Sequence, residues 1–329
     1  MKSKTYWLVV LCLVLAMISG LFTACTASTE EEAAIEEEEE VVEPFPVTIT
    51  DQADREVTLK KAPEKIISLA PSSTEILFAL GLGNRVAGVT QYCNYPPEAQ
   101  EKPKIGGFSE TDIDVSIEQI VAIEPDLIVA TETHLSQVIP KLEQFAPETA
   151  ILVLLTQTES FDVVFEAINL VGECTDTEDR AAQLVAEMKD RIKAVTDKTD
   201  NLPESDRPKV LYIVWHDPIF AIGGGTLGNT LIEAAGGVNI FQESIGAPIV
   251  DLETIIDRNP DIILGSSAVG AGADLPYQFA LNEERLGIVN ARINNRVYGV
   301  NDDLTGRPGP RIVEALEQLA EMIHPDIFK

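Results

Sequence analysis

Histidine is scarce in this chain, with three among 329 residues, and so are cysteine, with four, and the aromatics, at 6%. So few histidines leave little room for a histidine-rich metal site. Basic residues are also few: 24 lysines and arginines stand against 54 acids, a formal net charge of −30. Nucleic-acid binding draws most of its affinity from neutralising phosphates with lysine and arginine, so this balance argues against it. It argues equally against docking on anionic lipid through a basic patch. No G-x-S-x-G elbow, H-E-x-x-H pair or Walker loop is present, which disfavours the common hydrolase and nucleotide chemistries. Gly223 to Gly228 looks phosphate-like but lacks the lysine, and reads as a turn before a helix. What remains is a chain with 45% apolar residues, long enough for two lobes of about 130 residues each.

The first 24 residues read as an export signal: Lys2 and Lys4, then an apolar run from Trp7 to Phe22. The run is shorter than the roughly 20 residues that span a bilayer. Leu21-Phe22-Thr23-Ala24-Cys25 resembles a bacterial lipobox, with cleavage before Cys25 and lipid on that cysteine; Phe22 stands where such boxes usually carry leucine. The alternative is an ordinary signal with a chance cysteine. Residues 30 to 43 carry nine glutamates, so residues 25–45 read as a self-repelling disordered tether. Two cysteines remain in the body. The expected helix from Ser160 to Gly172 would carry Cys174 roughly 20 Å from Cys93, so both are expected to stay free thiols.

An internal repeat organises the body. Ser116-Ile-Glu-Gln-Ile-Val-Ala-Ile-Glu-Pro-Asp-Leu-Ile-Val129 matches Asp251-Leu-Glu-Thr-Ile-Ile-Asp-Arg-Asn-Pro-Asp-Ile-Ile-Leu264 as helix, Pro-Asp turn and buried strand. Apolar strands at 66–70, 86–89, 127–130, 151–155, 210–214 and 262–264 alternate with helices, the pattern of largely parallel, doubly covered sheets. Thr177 to Lys198 places Ala181, Leu184, Val185, Met188, Ile192 and Val195 at helical spacing. The expected fold is therefore α/β. Two Rossmann-like lobes, 46–175 and 201–329, are joined by one long helix at 176–200, with a ligand cleft where the strands' carboxyl ends face each other.

Residues in the loops after these strands are the binding candidates. Ser72 and Glu75 have capping-box spacing after the first strand. Tyr92 to Pro97, Gly106-Gly107-Phe108, Trp215-His216-Asp217 and Asn301 to Pro310 follow others. Aromatics at strand ends suit a large flat ligand. Arg307 is the only obvious cleft cation. His134 and His216 could face the cleft as metal ligands, but structural roles are the better reading. His324 reads as closing the last helix.

The segments Ile66 to Gly81 and Val89 to Glu98, with the Pro-Asp repeat, resemble the helical-backbone substrate-binding proteins of ABC importers over residues 47 to 329. The Tyr-x-x-Tyr-Pro-Pro loop is most similar to the vitamin B12 binders. The resemblance implies no enzyme activity and no resident cofactor. It implies a monomeric, lipid-anchored extracytoplasmic protein that hands a corrinoid to a permease and its ATPase, without nucleic acid. The family's ligand contacts fall on Ser72, Tyr92, Phe108 and Asp303, with Trp215 near another. Its permease-docking glutamates fall on Glu118 and Glu253, which the repeat places at equivalent sites. Thr131 and Ala247 stand where a B12 binder has tryptophans. The alternatives are a ferric siderophore or haem as cargo, then a divalent metal, then a hydrolase.

Overall fold

The computed structural model describes residues 44–108, 113–267 and 275–328. The expected signal, Cys25 and most of the acidic tether lie outside them. The described body, from Pro44 onward, is one compact unit. A hairpin of β1 (Val47–Thr50) and β2 (Glu56–Leu59) opens it, and Asp51 at its turn accepts the backbone N–H groups of Ala53 and Arg55.

The first lobe is built on a parallel sheet of β3 (Ile66–Ser68), β4 (Val86–Val89), β7 (Leu127–Thr131) and β8 (Ala150–Leu154). Its order is β4-β3-β7-β8. Helix α1 (Pro71–Ala79) follows β3, and a small antiparallel pair, β5 (Gly106–Phe108) and β6 (Ile113–Val115), precedes α2 (Ile117–Ile123). Helices α3 (Ile139–Phe145) and α4 (Phe161–Thr175) complete the lobe. Every residue of β7 is buried, as expected for a central strand covered on both faces.

The linker is α5 (Glu178–Thr199), 22 residues long, or roughly 33 Å. It buries Ala181, Leu184, Val185, Met188 and Val195 along one stripe and is tied to the last helix by a bidentate Arg191–Glu317 pair at 2.9 and 2.6 Å. The second lobe holds β9 (Lys209–His216), β10 (Ile219–Ala221), α6 (Leu227–Ala234), β11 (Val238–Asn239), α7 (Leu252–Arg258), β12 (Ile262–Ser266), α8 (Leu275–Asn282), β13 (Val297–Val300) and α9 (Ile312–Ile323). Strands β9, β12 and β13 are parallel neighbours, β11 pairs with the start of β9, and β10 folds back antiparallel on its end.

The repeat is visible atom by atom. Ser116 and Asp251 cap α2 and α7 by accepting the N–H of Gln119 and Thr254. Both helices stop at a residue in the left-handed region, Glu124 (φ 54°) and Asn259 (φ 48°), ahead of the Pro-Asp turn. Asp126 then accepts the N–H of Glu64 and Lys65, and Asp261 that of Lys209. Burial alone would raise the Asp126 pKa, but these N–H donors and the Lys61 charge outweigh it and hold the carboxyl below its ordinary value. One continuous core runs from Leu127 and Val129 through Leu184 and Met188 to Val210, Tyr212 and Leu316. It crosses both lobes and the linker, while a separate cluster fills the outer face of each sheet. A core shared in this way resists large movement of one lobe on the other.

The capping box expected at Ser72 and Glu75 does not form. Ala70 is the N-cap of α1, without a side-chain cap bond, because the Glu75 carboxylate is held by two arginines of the other lobe.

Candidate functional site

The carboxyl ends of the two sheets meet through a buried ion cluster. Glu75 projects from α1, and its side chain is 2% exposed. Arg311 donates to it from Nε and Nη2 at 2.8 and 2.6 Å, and Arg307 donates from Nη1 at 3.1 Å. Burial opposes the Arg311 charge, but the Glu75 hydrogen bonds and charge overcome it and raise the guanidinium above its ordinary pKa. Arg307 also donates to Asp303 at 2.5 Å and to Asn94 Oδ1 at 2.7 Å, while Asn94 Nδ2 donates to Asp303 Oδ2 at 2.8 Å. The Arg311 guanidinium lies 3.8 Å over the Tyr95 ring, within cation–π range. Arg307 is therefore not the lone cleft cation expected from the sequence. Arg311 joins it, and carboxylates hold both.

Ser72, buried in the first turn of α1, lies against the second lobe, where a side chain at Gly309 would stand 3.5 Å from its carbonyl oxygen. Tyr92 is 45% exposed on the loop after β4. Gly107 makes room for it, since a Cβ there would fall 2.9 Å from the ring. Phe108 is the last residue of β5, next to a stretch outside the described residues. Trp215, 44% exposed, is the last residue but one of β9. Its indole N–H donates to the Asp217 carbonyl at 3.0 Å, so the ring offers apolar faces alone. Asp303 has both carboxylate oxygens engaged in the cluster.

The structure adds residues that the sequence reading passed over. In register, Trp215 pairs with Phe220 on β10, and Phe220 with Ile249 on the next segment. Exposure alternates along that segment, leaving Ile245, Ala247 and Ile249 outward. Its close approach requires Gly223 and Gly224, where a Cβ would meet the Ser244 and Gln242 carbonyls at 2.1 Å. Ala247, placed where a tryptophan was expected, therefore sits within a stripe of two isoleucines beside Trp215. The signal available was the spacing of Ile245, Ala247 and Ile249 at every second residue. Thr131 offers no such surface. It is buried and bonded to His134 Nδ1 at 2.9 Å.

His134 is buried beneath the first sheet's carboxyl edge, and burial depresses its pKa despite the Thr131 hydrogen bond and the Glu132 charge. His216 packs its ring against Trp215 and Phe279. His324 follows α9 and shares a 3.1 Å hydrogen bond with the Gly236 carbonyl. Among the described residues, no three His, Cys, Asp or Glu side chains come together where they could hold a metal ion. Cys93 and Cys174 are both free and buried. Thr74 donates to Cys93 Sγ at 3.0 Å. Burial, then the Glu173 and Asp51 charges, push the Cys174 thiol up to about 12. A surface cavity of about 890 Å³ opens on the linker side of the ion cluster, between Phe78, Tyr95, Leu184, Met188 and Arg311, and does not include Tyr92 or Trp215.

Glu118 and Glu253 occupy the second position of α2 and of α7, both exposed, and neither forms an ion pair among the described residues.

Two lobes on largely parallel sheets, one joining helix and aromatic loops at the facing strand ends define a binding protein of the helical-backbone class. The periplasmic binding protein family matches residues 66–304, and the chain belongs to that family. An uncharacterised ABC transporter substrate-binding lipoprotein of Bacillus subtilis is 36% identical over 290 residues, 87% of this chain and 88% of the relative. A cobalamin-binding protein of Halobacterium salinarum is 30% identical over 285 residues, 85% of this chain and 74% of its own. Among solved structures, a periplasmic haem-binding protein of Roseiflexus superposes with a TM-score of 0.68 at 26% identity, covering 80% of this chain and 98% of that one. The protein is a substrate-binding component of an ABC transporter, a class that carries cargo and performs no chemistry on it. No helix among the described residues is long and apolar enough to cross a membrane.

Proposed function

We propose that the protein captures a corrinoid between its lobes outside the cytoplasm, anchored by lipid on Cys25, and delivers it to an ABC permease and its ATPase. The observation that carries this reading is the character of the strand ends: Tyr92, Trp215, Phe220 and Ile249 offer apolar surface there, and Arg307 and Arg311 are already neutralised by carboxylates. A large, flat macrocycle with polar but uncharged edges suits such walls. The cobalamin-binding relative supports the same cargo. The shared core and the cluster bridging the lobes support a largely preformed cleft, which limits the ordering cost of binding. Haem is the second reading, favoured by the haem-binding structure of similar fold.

Release to the transporter is assigned to Glu118 and Glu253. The repeat gives them equivalent positions, and matched carboxylates suit a partner with two-fold symmetry and basic patches. The first-turn position also favours an acid through the helix dipole, so a functional test is needed. Alanine at both positions should leave corrinoid binding by the purified protein intact while abolishing uptake of labelled corrinoid by cells. Unchanged uptake would remove the docking role, and a protein that retains no corrinoid would remove the cargo.

A further inference from the structure

We infer that Glu75 and Asp303 set cargo selectivity by cancelling the two cleft arginines, so that the site accepts a macrocycle edged with neutral amides or esters and rejects one edged with carboxylates. This rests on the reading that cargo sits between the lobes.

Arg307 and Arg311 are the cations that the facing strand ends bring together, and each side chain is only 13% exposed. Two guanidinium groups face two carboxylates, so the cluster is formally neutral. Part of each donor set is committed as well as the charge. Arg311 gives Nε and Nη2 to Glu75, and Arg307 gives Nη1 to Glu75 and Asn94 and Nη2 to Asp303. An anionic ligand that meets either arginine finds a guanidinium whose charge is already balanced, and drawing it closer would weaken its pairing with Glu75 or Asp303. For Glu75, 2% exposed, the loss of one of its two arginines leaves a buried carboxylate short of compensation, which is costly. A ligand whose edge is uncharged asks for no such exchange. Lys104, on the same side of the first lobe, is turned to the Ala99 and Cys93 carbonyls at 3.0 and 3.5 Å. The acids beside the cluster add to the bias. Asp302 lies next to Asp303 and receives the Tyr212 hydroxyl at 3.1 Å. Asp217, beside Trp215, is exposed. Discrimination here comes from what the wrong ligand would have to break.

The test uses the purified protein and two matched pairs of ligands. One is cobinamide against the same corrin with its edge amides hydrolysed to carboxylates; the other is haem against its dimethyl ester. In the unaltered protein the neutral member of a pair that binds should bind at least about tenfold more tightly. Asp303→Asn keeps the shape and removes one negative charge, and should shrink that ratio by about fivefold, the scale of one partly exposed ion pair. Equal or tighter binding of the charged member, an unchanged ratio in D303N, or no binding of any of the four would each overturn the inference. If only the porphyrin pair binds and the ester is preferred, charge selection stands and the corrinoid reading falls. If both corrins bind alike, the corrinoid reading stands and charge selection falls.

Discussion

Replacing Glu75 with glutamine tests the bridge between the lobes. The carboxylate is 2% exposed and touches Arg311 at 2.6 and 2.8 Å and Arg307 at 3.1 Å. Glutamine has nearly the same shape, so the change removes charge and leaves packing. Each pair at about 4 Å is worth about 4 kcal/mol of Coulomb energy at an effective dielectric constant of about 20. That gross attraction is offset by the desolvation of three charges, and removing one partner of such a buried group typically costs about 3–5 kcal/mol. For a body of this size, each kcal/mol lowers Tm by about 2–4 °C, so E75Q should melt about 6–20 °C lower by calorimetry. Asp303 still balances one arginine in the variant, which favours the lower half of that range. A double-mutant cycle with Arg311→Gln should return a coupling of at least about 1 kcal/mol. A fall below about 2 °C, or no coupling, would refute the view that this cluster fastens the lobes.

The other expectations follow from single side chains. Trp215→Ala should weaken cargo binding about tenfold through loss of an aromatic face without changing Tm, measured by absorbance titration; unaltered affinity would place the cargo elsewhere. His134 is held neutral by burial, its folded pKa below the ordinary 6.5. Stability it supports is therefore intact above pH 6.5 and is lost as pH falls from there toward the folded pKa, where the loss levels off. Urea titrations of His134→Gln should show a flatter pH dependence in that window, and an identical slope would contradict the assignment. Cys174, with its thiol at about 12 and buried, and Cys93, enclosed beside Thr74 and Thr90, should both resist alkylation at pH 8 in the native body. Rapid labelling of either would show that the core around it opens.

Much of the fold was legible because local rules and the tertiary structure agree. The six apolar runs became six core strands, and the stripe from Ala181 to Val195 became the linker, observed at Glu178–Thr199. The Pro-Asp turns were readable because the dipeptide itself sets the turn, even though the backbone N–H groups that each aspartate accepts, at the start of a neighbouring strand, lie 52 to 62 residues away. Glu75 was misread for the opposite reason. Its spacing from Ser72 fits a capping box, but its partners lie 232 and 236 residues away, and no local pattern announces them. The same limit hid Arg311, which reads as one more charge before the last helix. Phe220 and Ile249 escaped notice because cross-strand register, rather than sequence proximity, sets them beside Trp215.

The most direct test of the central claim is an equilibrium titration of the purified protein with cobalamin, with haem and a ferric hydroxamate in parallel. Corrinoid absorption and Trp215 fluorescence would be followed together. Saturable one-to-one binding of cobalamin, with tryptophan quenching and no response to the iron ligands, is the predicted result. Silence with cobalamin and saturable binding of haem or the hydroxamate would contradict it, leaving the fold and the transport role in place with a different cargo.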